Sequence, residues 1–275
     1  MRTSPASALM MATIIAALLA LTAGISLTNA RSARMASSEA VRLARASFEA
    51  ERLLAVGLIL LDGEEPVARQ GAIFTDPGGG AVLRQDAAGL IDVNAAAPER
   101  LATLMTALSV SSDRALQLAD RIADWRDGDN LRRPLGGERQ DYVDAGLPPP
   151  ENRAFRTETE IARVWGVDAA LIACLAPFLT TFAGGDIDAR AAAPSLAALL
   201  SLQRQDDASP AQRVRYGVVR LDARAPLSAD AVLQKSLWVR LTSDPRRPYL
   251  VHRAAQTLEP SQAPPLSSSC AGVGA

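Results

Sequence analysis

The chain has 275 residues, which is enough for one or two domains with hydrophobic cores. Its 29 basic and 30 acidic residues give a net charge of -1, and this balance argues against a protein that binds nucleic acid or membrane surfaces through a basic patch. The one histidine, His252, has no nucleophile motif beside it, so we expect no enzyme.

An apolar stretch opens the chain, with no charged residue between Arg2 and Arg31. A run of about 20 apolar residues can cross a bilayer as a helix, so we predict a membrane-spanning stem over 7–30. Good helix formers continue without a proline to Leu61, which predicts one continuous helix of about 80 Å, at ~1.5 Å per residue. A signal peptide cleaved after Ala30 and a plain single-span anchor are the alternatives.

The part of this helix beyond the stem should be the spine of a soluble domain. Four apolar residues fall on one face at helical spacing: Val41, Ala44, Phe48 and Ala55. Residues 53–61 are apolar nearly all round, which is typical of a helix packed into a domain. We therefore expect 53–61 to pack against the strands that follow.

Two strand regions flank a helical block in the rest of the chain. The Asp-Pro-Gly-Gly-Gly turn at 76–80 predicts a hairpin, and a later region holds an alternating segment at 213–224 and a hairpin that turns at 243–245. Between these regions we predict a long polar loop over 128–153 and helices over 98–110, 111–127, 157–166, 167–182 and 194–203. Thr157 and Glu160 have the spacing of a capping box. Helices inserted into an antiparallel sheet make the chain α+β.

A ten-residue sequence at 89–98 recurs at 185–194. In each copy a short β stretch ends at Ile-Asp, a polar side chain satisfies free backbone donors, and a proline begins a helix. The copies bracket the helical block, which predicts an inserted domain. The predicted division is 1–6 as a short leader, 7–30 as the stem, 31–88 as the spine and first strands, 89–200 as the inserted helical domain, and 201–275 as the remaining sheet and tail.

Acidic residues cluster within the helical block: Asp120, Asp124, Asp127, Asp129, Glu138 and Asp141. Calcium takes six to eight oxygen ligands from glycine-containing loops of this kind, although the spacing is not that of an EF-hand. The alternative is a salt-bridged loop without a metal, in which the acids pair with neighbouring arginines: Arg121, Arg126, Arg132, Arg133 and Arg139.

The chain has two cysteines, Cys174 and Cys270. An exported domain would allow a disulfide between them. The alternative is a buried thiol at Cys174 and an unrelated thiol in the tail, and the sequence favours neither.

An ordered set of segments carries a family resemblance. The segments are IADWRDGDN at 122–130, GGERQDY at 136–142, PPPENRAF at 148–155, ETEIARVWGV at 158–167 and LAPFLTTF at 175–182, with IDVNAA and IDARAA in the repeat. The set resembles the K-type minor pseudopilins of type II secretion systems, the general secretion pathway protein K family. The resemblance runs over essentially the whole chain, and the ordered set is much more specific than any one motif.

The resemblance implies a pilin-like antiparallel sheet domain with a large helical insertion, on a single-pass helix in the bacterial inner membrane, with the C-terminal domain in the periplasm. It implies a structural role in the export of folded proteins across the outer membrane, at the tip of the periplasmic pseudopilus. The implied partners are the I-type and J-type minor pseudopilins, other pseudopilus subunits and prepilin peptidase. The family binds calcium, and the matching acids are Asp124, Asp127, Asp129 and Glu138.

The sequence departs from the family pattern in three places. Prepilin peptidase normally cuts after glycine, whereas the equivalent position here is Ala6, followed by Ser7. The leader over 1–6 is short and holds one arginine. The second repeat has Asp-Ala-Arg at 188–190, where the family prefers Asn-Val-Asn. The first two departures concern processing, and the third concerns a local backbone role.

A second function class shares part of the pattern. The repeat and Gly166 are also similar to helix-hairpin-helix modules of periplasmic DNA-uptake proteins, which present backbone amides and basic side chains to phosphates. A membrane-anchored DNA-binding protein is therefore the alternative function. The near-zero net charge and the single lysine, Lys235, argue against it, so we expect no nucleic-acid partner.

Overall fold

The computed structural model describes residues 5–62, 70–202, 217–244 and 246–261. The helices are α1 (Pro5–Asp62), α2 (Pro98–Ala107), α3 (Ser112–Arg126), α4 (Arg139–Asp144), α5 (Ala169–Leu175) and α6 (Pro194–Leu199). The strands are β1 (Gln70–Thr75), β2 (Ala81–Asp86), β3 (Ile91–Asp92), β4 (Leu179–Thr180), β5 (Val218–Pro226), β6 (Ala231–Leu241) and β7 (Tyr249–Pro260). Short 3-10 helices lie at Ala87–Gly89, Glu158–Arg163 and Ala176–Phe178. Helices combined with an antiparallel sheet confirm the predicted α+β class.

The chain divides into two compact units, Met1–Phe48 and Glu49–Ala275. Within the first unit the backbone is helical from Pro5, so Ala6 and Ser7 belong to α1. Among the described residues, no helix combines the length and the apolar character that crossing a membrane requires. The stem over 7–30 stays a prediction.

The apolar face predicted for the spine is not a buried face. All four residues assigned to it are exposed: Val41, Ala44, Phe48 and Ala55. Within the second unit, α1 instead buries Ala50, Leu53 and Gly57, while Ile59 is 71% exposed. The expectation that 53–61 is covered nearly all round is therefore wrong. The covered side of α1 combines small residues such as Ala50 and Gly57 with the large residues Leu53 and Leu61, and the small ones let the helix lie close to the sheet.

Gly57 marks the closest approach of α1 to the sheet. A Cβ atom at this position would lie 2.9 Å from Cγ1 of Val82 and 3.2 Å from Cδ1 of Leu221, which is too close without a shift. One turn earlier, the Leu53 side chain reaches Gly80 at the start of β2. The predicted packing of this part of the helix on the strands is therefore confirmed, although only one side of the helix is involved.

The sheet has five antiparallel strands in the order β1-β2-β5-β6-β7. The predicted turn at 76–80 joins β1 and β2, where the Asp76 amide donates to the Gly80 carbonyl at 2.7 Å and the Asp76 carboxylate accepts from the Gly78 amide at 3.0 Å. The predicted second hairpin is also confirmed as β6 and β7, although β6 begins at Ala231, several residues before the predicted strand.

The helical block lies between β2 and β5 and has one hydrophobic core, which includes residues from Leu90 to Leu200. The helices predicted over 98–110 and 111–127 are confirmed as α2 and α3. The segment 157–166 forms a 3-10 helix and no α-helix, and the helix predicted over 167–182 gives way to β4, which pairs with β3 in parallel. The loop over 128–153 contains α4, which the sequence pattern did not indicate.

The predicted capping box at Thr157 is wrong. The Thr157 side chain makes no capping hydrogen bond, and the Glu160 carboxylate accepts from the Arg156 amide at 2.9 Å. Thr157 still precedes the helix, but Glu160 also pairs with Arg153, 3.3 Å away, which draws its carboxylate away from the Thr157 amide.

The two copies of the repeat form the same turn. The Asp92 carboxylate accepts from the Asn94 amide at 2.8 Å, and the Asp188 carboxylate accepts from the Arg190 amide at 2.9 Å. In each copy a proline follows at the first helical position. The backbone role is therefore retained in the second copy, because the aspartate and not the divergent residues after it performs that role.

The copies also lie side by side. The Asp188 amide donates to the Ala88 carbonyl at 2.7 Å, and a Cβ atom on Gly89 would lie 2.0 Å from the Ala191 carbonyl oxygen. Glycine at this position is therefore required by the close approach of two backbone segments. The chain enters and leaves the helical block at adjacent points, as an insertion between two strands requires.

Candidate functional site

Three acidic side chains converge at the end of α3. One carboxylate oxygen each from Asp127, Asp129 and Glu138 lies within 4.8 Å of the others. Asp127 immediately follows α3, Asp129 lies in the turn after it, and Glu138 immediately precedes α4. The structure thus brings together three of the four residues predicted as metal ligands.

Glu138 is the most deeply placed of the three. It is 6% exposed, and neither of its carboxylate oxygens has a hydrogen-bond partner of ordinary geometry in the described part of the chain. Burial first, and then the negative charges of Asp124, Asp127 and Asp129, raise the pKa of Glu138 to about 7, against a lowering effect of the Arg139 backbone amide. A buried carboxylate without a partner is costly, so this site favours either a proton or a cation.

Asp124 supports the site from behind. It is completely buried, and its Oδ2 atom accepts from the backbone amides of Arg133 at 3.2 Å and Gly137 at 3.0 Å. Burial raises the pKa of Asp124, while these amides lower it. A Cβ atom on Gly136 would lie 1.9 Å from Asp124 Oδ2, so glycine is required for the loop to wrap around this carboxylate. Asp124 therefore organises the loop and does not join the three converging oxygens.

Asn152 holds the acidic turn from the far side of the loop. Its side-chain amide donates to the Asp129 carbonyl at 2.6 Å and lies 3.1 Å from Asn130 Oδ1. Its backbone has a φ of +48°, a left-handed conformation that asparagine tolerates better than most residues. The sequence analysis did not single out Asn152. The available sequence signal for this residue was its position shortly after the run of prolines at 148–150.

Few of the nearby arginines pair with the acids. Arg133 lies 3.3 Å from Asp124 and 3.5 Å from Asp127, and Arg132 pairs with Asp141 at 2.9 Å. Arg126 turns towards the carbonyls of Val93 and Ala96, and Arg121 stacks 3.8 Å over the ring of Trp165. The salt-bridge interpretation therefore describes Arg132 and Arg133 and does not fit Arg121 or Arg126.

Aromatic rings form a rigid support beneath the acids. The Trp125 ring lies 5.6 Å from the Tyr142 ring and stacks 6.5 Å from the Phe155 ring. The Tyr142 hydroxyl accepts from the Trp165 amide at 3.1 Å. These four residues come from four of the segments that carry the family resemblance, so the ordered set of segments is a set of contacts around one site.

The predicted disulfide concerns residues outside this site. Cys174 lies in α5 and is buried in the core of the helical block. Cys270 lies outside the described residues, so the disulfide stays a prediction.

The comparisons with known proteins identify the helical block. The family described as "Type II secretion system (T2SS), protein K" matches residues 81–184, which include β2, the acid cluster and the aromatic support. Residues 81–184 are therefore similar to the protein K domain of type II secretion systems. The predicted resemblance to the K-type minor pseudopilin family is confirmed. The comparison with curated proteins gave no match.

A solved structure supports the same fold over most of the chain. The chain is similar to a chain in the crystal structure of the GspK-GspI-GspJ complex from the type 2 secretion system of enterotoxigenic Escherichia coli. The TM-score is 0.52 at 19% sequence identity, and the match covers 83% of this chain and 99% of that chain. The sheet as well as the helical block therefore has a counterpart in a solved structure.

Proposed function

We propose that this chain is a K-type minor pseudopilin, a structural subunit at the tip of the periplasmic type II secretion pseudopilus, needed for the export of folded proteins across the outer membrane. The match of 81–184 to the protein K family carries the proposal. The similarity to a chain of the GspK-GspI-GspJ complex supports the I-type and J-type minor pseudopilins as partners. Other pseudopilus subunits and prepilin peptidase are partners by the same reasoning, and the role is structural and not enzymatic.

The tip position follows from two features of the sequence. After cleavage between Ala6 and Ser7, the fifth residue of the mature chain is Met11, where other pseudopilins carry a glutamate that neutralises the N-terminal amine of a neighbouring subunit. A stem without this carboxylate has no anion to offer a subunit above it. The helical block adds bulk that would obstruct a subunit stacked above. The stem over 7–30 anchors the chain in the inner membrane, with the remaining domains in the periplasm.

Export is the direct test of this function. Cells that lack the gene should retain the secreted proteins in the periplasm, and the full-length gene should restore export. A variant without 89–200 should fail to restore export while reaching the inner membrane at the normal level. Normal export in the deletion strain would contradict the proposal.

We also propose that the acid cluster binds calcium. Asp127, Asp129 and Glu138 fit a hard cation because they offer converging carboxylate oxygens, and the Glu138 oxygens are buried without hydrogen-bond partners among the described residues. The Asp124 carboxylate adds negative charge beside them. A bound cation would join the end of α3 to the start of α4 and so fix the loop between them.

Thermal melting of the full-length chain tests the calcium site. Calcium should raise the melting temperature relative to chelator, because a ligand that binds only the folded state stabilises it. Replacing Asp127 and Asp129 together with asparagine should abolish this increment. The control is Asp113→Asn, which removes an exposed acid at the opposite end of α3 and should leave the increment unchanged. Equal melting curves in calcium and in chelator would leave only the salt-bridge interpretation.

A further inference from the structure

We infer that Arg133 is a built-in counter-cation of the acid cluster, which competes with a bound divalent cation and so sets its affinity. The inference rests on the proposed calcium site and adds a residue that opposes it. Arg133 lies in the loop between α3 and α4, where its guanidinium group faces two of the acids that surround the site.

The backbone and the side chain of Arg133 make different kinds of contact. The backbone amide donates to Asp124 Oδ2 at 3.2 Å, which fixes the loop whatever the side chain does. The side chain approaches Asp124 Oδ1 through Nε at 3.3 Å and Asp127 Oδ2 through Nη2 at 3.5 Å. The Nε atom has no hydrogen-bond partner in the described part of the chain, and the side chain is 41% exposed. The guanidinium group is therefore held mainly by charge and can leave without disturbing the loop.

The charges around the site explain why such a group is useful. Asp124, Asp127, Asp129 and Glu138 place up to four negative charges close together. Their mutual repulsion falls when one positive charge lies beside two of them. Arg126 cannot take this role by moving, because its guanidinium nitrogens donate to the backbone carbonyls of Val93 and Ala96. Arg132 is directed to Asp141, which caps α4.

The same arrangement opposes a divalent cation. A calcium ion bound to Asp127 would share that carboxylate with the Arg133 guanidinium group, and two positive charges at such short range repel each other. Binding therefore requires Arg133 to weaken its contact or to turn outward. The free energy of that change makes the free energy of calcium binding less favourable, so the arginine lowers the affinity of the site for calcium.

Calorimetric titration of the full-length chain with calcium chloride at pH 8 tests the inference. Arg133→Gln should lower the dissociation constant about tenfold, which corresponds to about 1.4 kcal/mol. In chelator it should also lower the melting temperature, since the acids lose their counter-charge, so the increment from calcium should grow. Arg133→Lys, which keeps a positive charge, should bind within about threefold of the parent chain.

Arg132→Gln is the matched control, because it removes the same charge from the adjacent residue, whose partner is Asp141. Its dissociation constant should stay within about twofold of the parent value. If Arg133→Gln does not fold, Arg133→Met carries the same expectation. Calcium binding by the parent with no gain in Arg133→Gln or Arg133→Met would overturn this inference and leave the calcium site intact. No calcium binding by the parent would overturn both.

Discussion

At the scale of single residues, Glu138 makes stability depend on pH. Its pKa in the folded chain is about 7, against an ordinary value of 4.5, so the folded state holds this proton more tightly than the unfolded state does. The stabilisation from the bound proton is complete below about pH 4.5 and is lost as pH rises through 7. The loss amounts to about 3 kcal/mol, and burial also raises the pKa of Asp124 and Asp127, which adds to it in the same direction.

Glu138→Gln removes the part of this pH dependence that comes from Glu138. In chelator at pH 8 the variant should have a higher free energy of unfolding than the parent, because an uncharged amide replaces a buried charge. At pH 5, where Glu138 holds its proton, the two chains should differ little. Chemical denaturation at both pH values measures this. A variant less stable than the parent at pH 8 in chelator would contradict this, and would show that the backbone amides at the start of α4 stabilise the Glu138 carboxylate more than burial disfavours it.

The sequence revealed the acids of the site but not the residues that position them. The carboxylates are visible as a cluster in the sequence because Asp124, Asp127 and Asp129 all lie between positions 124 and 129. Arg133 was named among five arginines that could pair with the acids, but its partners and those of Asn152 could not be assigned from spacing, because they depend on how the loop over 128–153 folds back. Asp124 was predicted as a ligand, yet its burial against two backbone amides is a property of that fold.

At the scale of elements, the packing of α1 on the sheet depends on one side of the helix. Leu53 is fully buried, whereas Ile59, six residues later on the same helix, is 71% exposed. Leu53→Asp should lower the free energy of unfolding by about 3 kcal/mol or more, because it buries a charge without a partner. Ile59→Asp should change it by less than about 0.5 kcal/mol. Urea denaturation of both variants measures the difference. Equal losses would mean that Leu53 is not part of the core.

Hairpins were easier to predict than the covered side of α1. The turn at 76–80 has its own local chemistry, since the Asp76 carboxylate bonds within the turn. The covered side of α1 depends on what approaches it. Large apolar residues such as Val41 and Phe48 are exposed, and Gly57 is covered because Val82 and Leu221 lie against it. Helical spacing identifies faces but does not show which face the sheet meets.

At the scale of the whole molecule, an ion pair connects the helical block to the sheet, and its arginine lies against aromatic rings. Arg253 of β7 forms two hydrogen bonds with Glu158, at 2.6 and 2.7 Å, and its guanidinium group lies 3.7 Å over the Trp238 ring. The single histidine lies nearby, with the His252 ring 5.7 Å from the Phe182 ring. His252 is therefore part of this junction, and neither the sequence nor the contacts give it a chemical role.

This construction suits a subunit that presents a rigid block to its surroundings. The repeat brings the two ends of the block together, and the aromatic support beneath the acids links segments that are distant in sequence. A calcium ion at the proposed site would strengthen the loop between α3 and α4, whose conformation depends most on charged contacts.

The most direct measurement is the composition of the complex that the full-length chain forms. The chain should be co-expressed with the I-type, J-type and major pseudopilins of the same secretion system, extracted in detergent and purified through a tag on this chain. The expected result is a stable complex that contains this chain with both the I-type and J-type proteins. A complex with the major pseudopilin that contains neither minor partner, or a filament formed by this chain alone, would contradict the tip assignment.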